Sequence, residues 1–373
     1  MHTPCYIGLM SGTSLDGVDG VLAEFPADGA GARVLRHATA PFPAALRAEL
    51  LALNRSGPDE LHRAALAGNG LSRVYAEVVT ALLTAAGLPA SSVRAIGAHG
   101  QTVRHRPLEF DGTGYTLQLQ NPSLLAELTG IDVVADFRSR DLAAGGQGAP
   151  LVPAFHQGWF GRADATVAVL NIGGISNLSV LPAAGVNTTG FDCGPGNALL
   201  DHWCQQHTGQ AFDTDGAWGA TGRVLPALLD TLKAEPFFAR TPPRSTGRDL
   251  FNAEWLAAHL APHSAARPED VQATLTALTV QTCAEALLRY GQGSQQLIVC
   301  GGGALNSALM RGLAAALPGV QVLSSAQAGL PPLQVEATAF AWLAHRTVER
   351  RTASLAAVTG ARGPRILGAI YPA

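Results

Sequence analysis

The sequence has few cysteines, and their spacing fits neither disulfides nor a metal site. The five cysteines are scattered, odd in number and include no C-x-x-C pair. A disulfide framework or a structural zinc site is therefore not expected, and a reducing, cytoplasmic location fits. The opening residues, MHTPCYIGLM, lack a charged segment followed by a long apolar stretch. We therefore expect no signal peptide.

Long apolar runs, charge blocks and several common catalytic motifs are also missing. No apolar run approaches the roughly 20 residues that a membrane-spanning helix needs. The net charge is −3 and is not concentrated in one block, which argues against nucleic acid or an anionic membrane surface as the main partner. The motif G-x-x-x-x-G-K-[ST] is absent, which excludes a P-loop enzyme, and neither H-E-x-x-H nor G-x-S-x-G occurs.

The residues that are present predict a large α/β protein of two domains. The chain has 373 residues, of which 47% are hydrophobic, enough for two substantial cores. A long glycine-rich stretch at 136–153 suggests a boundary just after it, so we expect domains at 1–157 and 158–373. Strong helical periodicity ends near residue 349, and 352–373 is expected to be a tail with little periodicity.

Each half begins with a strand, a glycine-rich turn and a second strand. In the first half the turn is SGTSLDG at 11–17, and in the second half it is NIGGISN at 171–177. Successive backbone N–H groups in such turns can form a concavity that binds an anion. Either turn taken alone is better explained as a plain hydrophilic hairpin. Two of them, one opening each half, predict a polyphosphate held from both sides, with the Asp16 carboxylate suited to water-mediated Mg²⁺ binding.

A third glycine element, CGGGALN at 300–306, lies between a predicted strand and a predicted helix. It lacks the third glycine of G-x-G-x-x-G, because Asn306 follows Leu305. No acidic residue ends a strand about 20 residues further on. A plain strand-to-helix turn does not need three consecutive glycines. We interpret the element as a backbone platform for a nucleoside and not as a nicotinamide site.

Asp192, in FDCGPGN at 191–197, is the strongest candidate for a catalytic residue. It ends a predicted strand and precedes a stiffened glycine turn, from which a helix starts at Asn197. A carboxylate in this position can face a cleft and act as a general base. The alternative role, capping the helix, is better filled by Asn197.

Two further clusters suit a polar, anionic small molecule. AHGQTVRH at 98–105 and the glycine-rich stretch at 136–150 supply polar side chains, and these are His99, Gln101, Thr102, Arg138, Arg140 and Asp141. For each arginine taken singly, a salt-bridged loop is as good an interpretation. Glu336, in an otherwise apolar helix, either lines a cleft or marks a solvated face.

Taken together, these motifs resemble those of the bacterial anhydro-N-acetylmuramic acid kinases, within the sugar kinase, Hsp70 and actin superfamily. The matching segments lie between residues 5 and 345, and they are IGLMSGTSLDGVD, AHGQTVRH, RSRDLAAGGQGAPLVP, NIGGISN, FDCGPGNALLD and CGGGALN. The resemblance implies a two-domain actin/hexokinase/Hsp70-like ATPase fold, α/β in class, with a duplicated mixed-sheet core and an interdomain cleft. It also implies a homodimer. Cys193, where a threonine or similar small residue is expected, is a mild departure that leaves the carboxylate untouched.

The resemblance further implies a reaction and a set of site residues. With ATP and Mg²⁺, such an enzyme opens the 1,6-anhydro ring of 1,6-anhydro-N-acetylmuramic acid with water and phosphorylates O6, with Asp192 as the base. Gln101, Thr102, Arg138 and Glu336 would bind the sugar. The implied ATP-binding residues are Gly12, Thr13, Ser14, Leu15, Asp16, Gly17, Asn171, Gly173, Gly174, Gly194, Gly196, Gly301, Gly302 and Gly303.

Two other functions stay open at the level of the sequence. A conventional sugar or N-acetylhexosamine kinase of the same superfamily would use Asp192 to deprotonate a substrate hydroxyl instead of water. An ATP-driven binding or chaperone module is a different class. The sequence speaks against that class because only a short tail, and no separate peptide-binding domain, follows the nucleotide core.

Overall fold

The computed structural model divides the chain into two compact units, which are described separately below. The first comprises Met1–Trp159 and Gln334–Ala373, and the second comprises Phe160–Leu333. The residues that the structure describes are 3–12, 15, 17–26, 32–183, 187–248 and 250–373. Within them, no helix is long and apolar enough to cross a bilayer.

Strands and helices alternate along most of the chain. The strands are β1 (Cys5–Met10), β2 (Gly17–Glu24), β3 (Arg33–Pro41), β4 (Val93–Ala98), β5 (Gln101–Pro107), β6 (Gly114–Leu119), β7 (Val133–Ala135), β8 (Thr166–Ile172), β9 (Ile175–Leu181), β10 (Thr189–Pro195), β11 (Ser294–Cys300), β12 (Gln321–Ser324) and β13 (Ala369–Tyr371). The helices are α1 (Ala44–Ala52), α2 (Glu60–Ala86), α3 (Pro122–Thr129), α4 (Ser139–Ala143), α5 (Val152–Phe160), α6 (Asn197–Thr208), α7 (Pro226–Lys233), α8 (Ala253–Leu260), α9 (Pro268–Tyr290), α10 (Ser307–Ala316), α11 (Val335–Val348) and α12 (Ala356–Thr359).

The main sheets of the two units share an order of five strands, and the first sheet has β13 as a sixth strand at its edge. In the first unit the order is β13-β7-β4-β1-β2-β3, and in the second it is β10-β9-β8-β11-β12. Each begins with three antiparallel strands, β1–β2–β3 or β8–β9–β10. Each then continues with two parallel strands beside the first one, β4 and β7 or β11 and β12. This confirms the expected α/β class and the duplicated mixed-sheet core.

Helices cover both faces of the first sheet. The apolar face of α2, including Leu71, Tyr75 and Val78, packs on the sheet at β2 and β3. On the other face, α11 lies so close to the sheet that a Cβ added to Gly8 or Gly97 would overlap its backbone. Those two glycines permit the close approach of helix and sheet.

The C-terminal segment, Gln334–Ala373, belongs to the first unit. The sequence analysis assigned it to the second domain. The first crossing between units, after Trp159, is two residues from the expected position, but the chain returns to the first unit at Gln334. The region 352–373, expected to be a tail, contains a fully buried Leu367 and the strand β13. That strand pairs antiparallel with β7, Ile370 facing Val134. Only three residues pair, which is too short a stretch to show periodicity.

The core of the second unit lies between its sheet and five helices, α6 to α10. Phe191 and Cys193 of β10 and Leu170 of β8 pack against apolar side chains of these helices. Side chains alternate along a strand, so Asp192 projects from the opposite face of β10 to these two neighbours.

Candidate active site

The second glycine turn joins β8 to β9 and contacts the start of α6. The carbonyl oxygen of Gly173 accepts a hydrogen bond from the Asn197 N–H at 2.8 Å. That of Gly174 accepts from the Gly196 N–H at 3.0 Å and the Ala198 N–H at 3.2 Å. Both carbonyl oxygens accept hydrogen bonds from N–H groups at the start of α6. The groups of this turn that can bind an anion are therefore its own N–H groups.

The turn between β10 and α6 has glycine where side chains would collide. A Cβ on Gly196 would overlap the carbonyl oxygen of Gly173 and lie 2.9 Å from Ser176 Oγ. Gly194 has a φ of +139°, and a Cβ there would be 2.6 Å from the Phe238 ring. The Thr279 hydroxyl of α9 supports this turn, with its Oγ1 at 3.1 Å from the carbonyl oxygen preceding Gly196. The N–H of Gly196 already donates to Gly174, so it does not bind a ligand. Gly196 matters because the absence of a side chain lets the two turns pack together.

The third glycine element meets the end of β8. Gly301 has a φ of +76°, and a Cβ there would overlap Asn171 Oδ1 and lie 2.7 Å from the Ile172 carbonyl oxygen. A Cβ on Gly303 would overlap the Ile172 side chain. Asn197 Nδ2 donates to the same Ile172 carbonyl at 3.1 Å. The glycine elements at 171–177, 191–197 and 300–306 therefore lie together at one end of the second sheet.

Two buried polar atoms at this end have no protein partner in the described part of the chain. They are Asn171 Oδ1 and Ser176 Oγ, and Asn171 is only 4% exposed. Leaving such an atom unsatisfied costs about 1–3 kcal/mol. An amide oxygen and a hydroxyl beside a glycine cradle fit the phosphates of a nucleotide or the water ligands of its metal ion.

Asp192 is fixed through its backbone and its carboxylate. Its N–H donates to the Arg244 carbonyl at 3.1 Å, and it pairs with Asn177 across β9 and β10. Its Oδ2 accepts a hydrogen bond from the Thr246 N–H at 2.9 Å. The side chain is partly exposed. The Asp192 carboxylate is therefore held in one orientation while solvent can still reach it.

Arg244 holds Asp192 in place, and sequence reasoning missed it. Its Nε donates to the Asp192 carbonyl oxygen at 3.0 Å. The guanidinium lies 5.2–5.9 Å from the ring centroids of Phe191, Phe237 and Tyr290. No spacing rule connects Arg244 with a residue 52 positions earlier. The only local signal was a polar, glycine-containing segment, RSTGR, after two prolines.

Cys193 is a core residue. Having cysteine here, where a threonine or similar small residue is expected, therefore does not change the groups around Asp192. The Cys193 thiol is buried in the second unit's core beside Cys283. The hydrogen bond with Cys283, and then burial, raise the pKa of the Cys193 thiol well above its usual range. It stays a neutral thiol on the opposite face of β10 from the Asp192 carboxylate.

In the first unit, Arg138 and His99 lie together as the sequence suggested. Arg138 Nη2 and the ring nitrogen Nε2 of His99 are 2.8 Å apart, and Arg138 Nη1 donates to the Gly148 carbonyl at 2.7 Å. Burial, and then the charge of Arg138, hold the pKa of His99 well below its usual range. A neutral His99 therefore accepts from the guanidinium and orients it.

Gln101 contacts the first glycine turn. Its Nε2 donates to the Gly12 carbonyl oxygen at 3.2 Å, and its buried Oε1 has no partner among the described residues. Tyr75, which sequence reasoning missed, joins the same region. Its hydroxyl accepts from the Gly100 N–H at 3.0 Å and lies 3.1 Å from Ser11 Oγ. The side chain comes from the middle of α2, so no local pattern revealed the contact.

Part of the first turn lies outside the described residues. Thr13, Ser14 and Asp16 are not among them. Leu15 is buried with a φ of 58°, and its N–H donates to Gly12 at 3.2 Å. Gly17 is in β2, opposite Pro41.

The remaining predicted residues of the first unit have different surroundings. Thr102 Oγ1 accepts from Gln118 Nε2 at 3.2 Å in the β5–β6 ribbon. Glu336 is partly exposed in the first turn of α11. Asp141 is fully buried and bonds the Gly148 N–H and the Thr359 hydroxyl at 2.8 and 2.9 Å. This carboxylate serves the loop structure and is not placed to meet a ligand.

The repeated mixed sheet and the converging glycine turns are typical of phosphotransferases that use a nucleotide. Comparison with known proteins gives the family: the chain belongs to the anhydro-N-acetylmuramic acid kinase family, whose model matches residues 4–373.

Similar proteins include relatives that align over almost the whole chain. An anhydro-N-acetylmuramic acid kinase of Variovorax paradoxus is 69% identical, covering 99% of each chain. One of Albidiferax ferrireducens is 64% identical, also covering 99% of each. Among solved structures, the activator of the 2-hydroxyisocaproyl-CoA dehydratase from Clostridium difficile with bound ADPNP is 13% identical, with a TM-score of 0.48. That alignment covers 93% of this chain and 96% of the activator.

Proposed function

We propose that the protein uses ATP and water to convert 1,6-anhydro-N-acetylmuramic acid into N-acetylmuramic acid 6-phosphate and ADP. Membership of the family carries the proposal, together with a carboxylate, Asp192, held on the same sheet as the glycine turns. A conventional sugar kinase is not favoured, since full-length relatives at 57–69% identity bear the more specific name.

In this proposal Asp192 removes a proton from water. The water oxygen forms a bond to the anomeric carbon C1 as the bond between C1 and the bridging O6 breaks. The proton passes to the Asp192 carboxylate. The freed O6 bonds to the γ-phosphorus of ATP as the bond between that phosphorus and the β–γ bridging oxygen breaks, and ADP leaves. The Thr246 N–H on Oδ2 fixes the direction of the carboxylate, and Arg244 fixes its backbone. Positioning of this kind lowers the barrier without covalent catalysis.

The nucleotide supplies the phosphoryl group that O6 accepts. Gly173 and Gly174 would present backbone N–H groups to its phosphates, and Gly301–Gly303 would let the nucleoside approach the backbone. Asn171 Oδ1 and Ser176 Oγ would bond phosphate-bound waters or waters of a Mg²⁺ ion. Among the described residues no cluster of three or more metal-ligating side chains occurs. In the proposal, the Mg²⁺ ion would be held mostly by phosphates and water, with Asp16 as a further contact.

Residues of the first unit would bind the sugar. Gln101 and Arg138 carry donors beside the first glycine turn and the His99 loop, and they suit the polar groups of an acidic amino sugar. Thr102 and Glu336 are proposed as further contacts. We also propose a homodimer, a cytoplasmic location and a role in peptidoglycan recycling, as the family's name suggests.

The substrate assay tests this function directly. Purified protein with Mg-ATP is given 1,6-anhydro-N-acetylmuramic acid, N-acetylmuramic acid or N-acetylglucosamine, and ADP and sugar phosphate are measured. We expect ADP and a 6-phosphorylated sugar with the anhydro substrate and little turnover with the other two. Preferred turnover of a sugar with a free 6-hydroxyl would favour the conventional kinase. ATP binding without turnover of any sugar would favour a binding module.

A further inference from the structure

The second unit contains a cavity that the proposed reaction does not use. It has a volume of about 160 Å³ and lies between α7, α9 and the segment 236–244. Its lining includes three cations, Lys233, Arg244 and Arg289, but only one carboxylate, Glu285. Lys233 already pairs with Glu285 at 2.5 Å. The cavity is therefore positively charged in a protein whose net charge is −3.

Arg244 is a buried cation in this cavity without a carboxylate partner among the described residues. It is 8% exposed. Its Nε and Nη1 donate to the carbonyl oxygens of Asp192, Phe238 and Arg240. Carbonyl oxygens and aromatic rings offset part of the cost of burial, but they carry no counter-charge. Buried charges are normally paired, so a counter-ion from solution would complete this arrangement.

The Tyr290 hydroxyl is a second unpartnered group at the same cavity. Its oxygen is buried and makes no hydrogen bond within the described part of the chain. Its ring packs edge-on against Phe191, with centroids 5.1 Å apart, and Arg289 lies over it at 5.1 Å. A hydroxyl donor, a buried guanidinium and a second arginine thus line one small space.

We propose that this cavity binds a small oxyanion, a phosphate or a carboxylate, through Arg244, Arg289 and the Tyr290 hydroxyl. Its volume is several times that of a water molecule, about 30 Å³, so it suits a small anion and not a nucleotide. Phe191, which contacts Arg244 and Tyr290, projects from the opposite face of β10 to Asp192. The site is therefore separate from the proposed catalytic carboxylate, although Arg244 Nε bonds the backbone of Asp192.

Titration calorimetry with inorganic phosphate and with acetate tests the proposal, at constant ionic strength. The protein is saturated with Mg²⁺ and a non-hydrolysable ATP analogue, so that the nucleotide site, including its γ-phosphate position, does not take up phosphate. Tyr290→Phe removes only the hydroxyl, and Arg289→Gln removes an exposed charge, so neither is expected to prevent folding. The matched controls are Tyr115→Phe and Arg311→Gln, which lie away from the cavity.

We expect saturable binding of one of the two anions to the unaltered protein, and the one that binds identifies the ligand chemistry. A hydrogen bond to a charged group contributes about 1.5–3 kcal/mol. Each cavity variant should therefore raise the Kd roughly tenfold or more, while the controls leave it unchanged. Binding of neither anion would overturn the proposal. So would binding that Tyr290→Phe and Arg289→Gln leave as strong as before.

Discussion

Replacing Gly173 by valine separates a phosphate-binding role of the second turn from a structural one. A Cβ at Gly173 meets only the Ile175 carbonyl oxygen, at 3.6 Å, an ordinary van der Waals distance. We therefore expect the free energy of unfolding to change by less than about 1 kcal/mol. The added methyl groups would instead occupy the space through which a phosphate reaches the backbone N–H groups.

The expected loss follows from the hydrogen bonds involved. One hydrogen bond to a charged phosphate contributes about 1.5–3 kcal/mol. Its loss corresponds to a decrease in kcat/KM for ATP of roughly 10- to 100-fold. The assay is steady-state ADP release at saturating sugar, with urea unfolding measured on the same preparations.

Two other glycine variants provide controls for Gly173→Val. Gly158→Val, where a Cβ meets nothing within 4 Å, should leave ATP kinetics unaltered. Gly301→Ala should lose stability, because its φ is +76° and its Cβ would overlap Asn171 Oδ1. Unaltered ATP kinetics in Gly173→Val would refute the role of the turn.

Three further variants test the supports of the site and the pH dependence of stability. Thr279→Val removes the hydroxyl near the Gly196 turn and should lower the free energy of unfolding, measured in urea, by about 1–2 kcal/mol. The control is Thr276→Val, whose hydroxyl bonds only within α9 and whose loss should cost less. Equal losses of stability in the two variants would argue that the Thr279 hydroxyl does not support the Gly196 turn. Arg244→Met leaves three carbonyl oxygens without their donor and should destabilise by at least about 1–3 kcal/mol, and an unchanged thermal midpoint would contradict this. Burial lowers the pKa of His156 to about 3. The unfolded chain therefore binds a proton below about pH 6.5 that the folded one does not, and stability should fall by about 1 kcal/mol per unit as pH drops from 6.5 towards 3. His156→Gln should reduce the fall in the urea midpoint between pH 6.5 and pH 5. If the midpoint falls as steeply with pH in this variant, His156 is not the source of the dependence.

The glycine elements were predictable because their physical cause is local. Clustered glycines often mark places where a side chain would collide. The structure shows this for Gly196, Gly301 and Gly303, whereas Gly173 has room for a Cβ. The strand pattern before each turn likewise indicated the repeated unit, which the shared order of five strands confirms.

The sequence argument that Asn197 caps α6 was wrong, because the N-cap residue is Gly196 and, among the described residues, no side chain caps the helix. The catalytic role suggested for Asp192 stays a prediction.

Other features were not predictable because they depend on contacts between distant residues. Arg244 meets Asp192 across 52 positions, and Tyr75 reaches Gly100 from the middle of a helix. The return of the chain to the first unit at Gln334 depends on α11 packing against β1 and β4, where glycines make room. The short pairing of β13 with β7 has no signature of its own in the sequence.

The origin of the oxygen at C1 tests the central claim most directly. Mg-ATP and 1,6-anhydro-N-acetylmuramic acid are incubated in ¹⁸O-water, and the sugar phosphate is analysed by mass spectrometry. The unaltered protein and Asp192→Asn are compared with Asp230→Asn, an exposed carboxylate of the same unit. We predict one ¹⁸O at C1 of a 6-phosphorylated product, formed by the unaltered protein and Asp230→Asn and lost with Asp192→Asn. Phosphorylated product without the label, or labelled product formed at full rate by Asp192→Asn, would contradict the account.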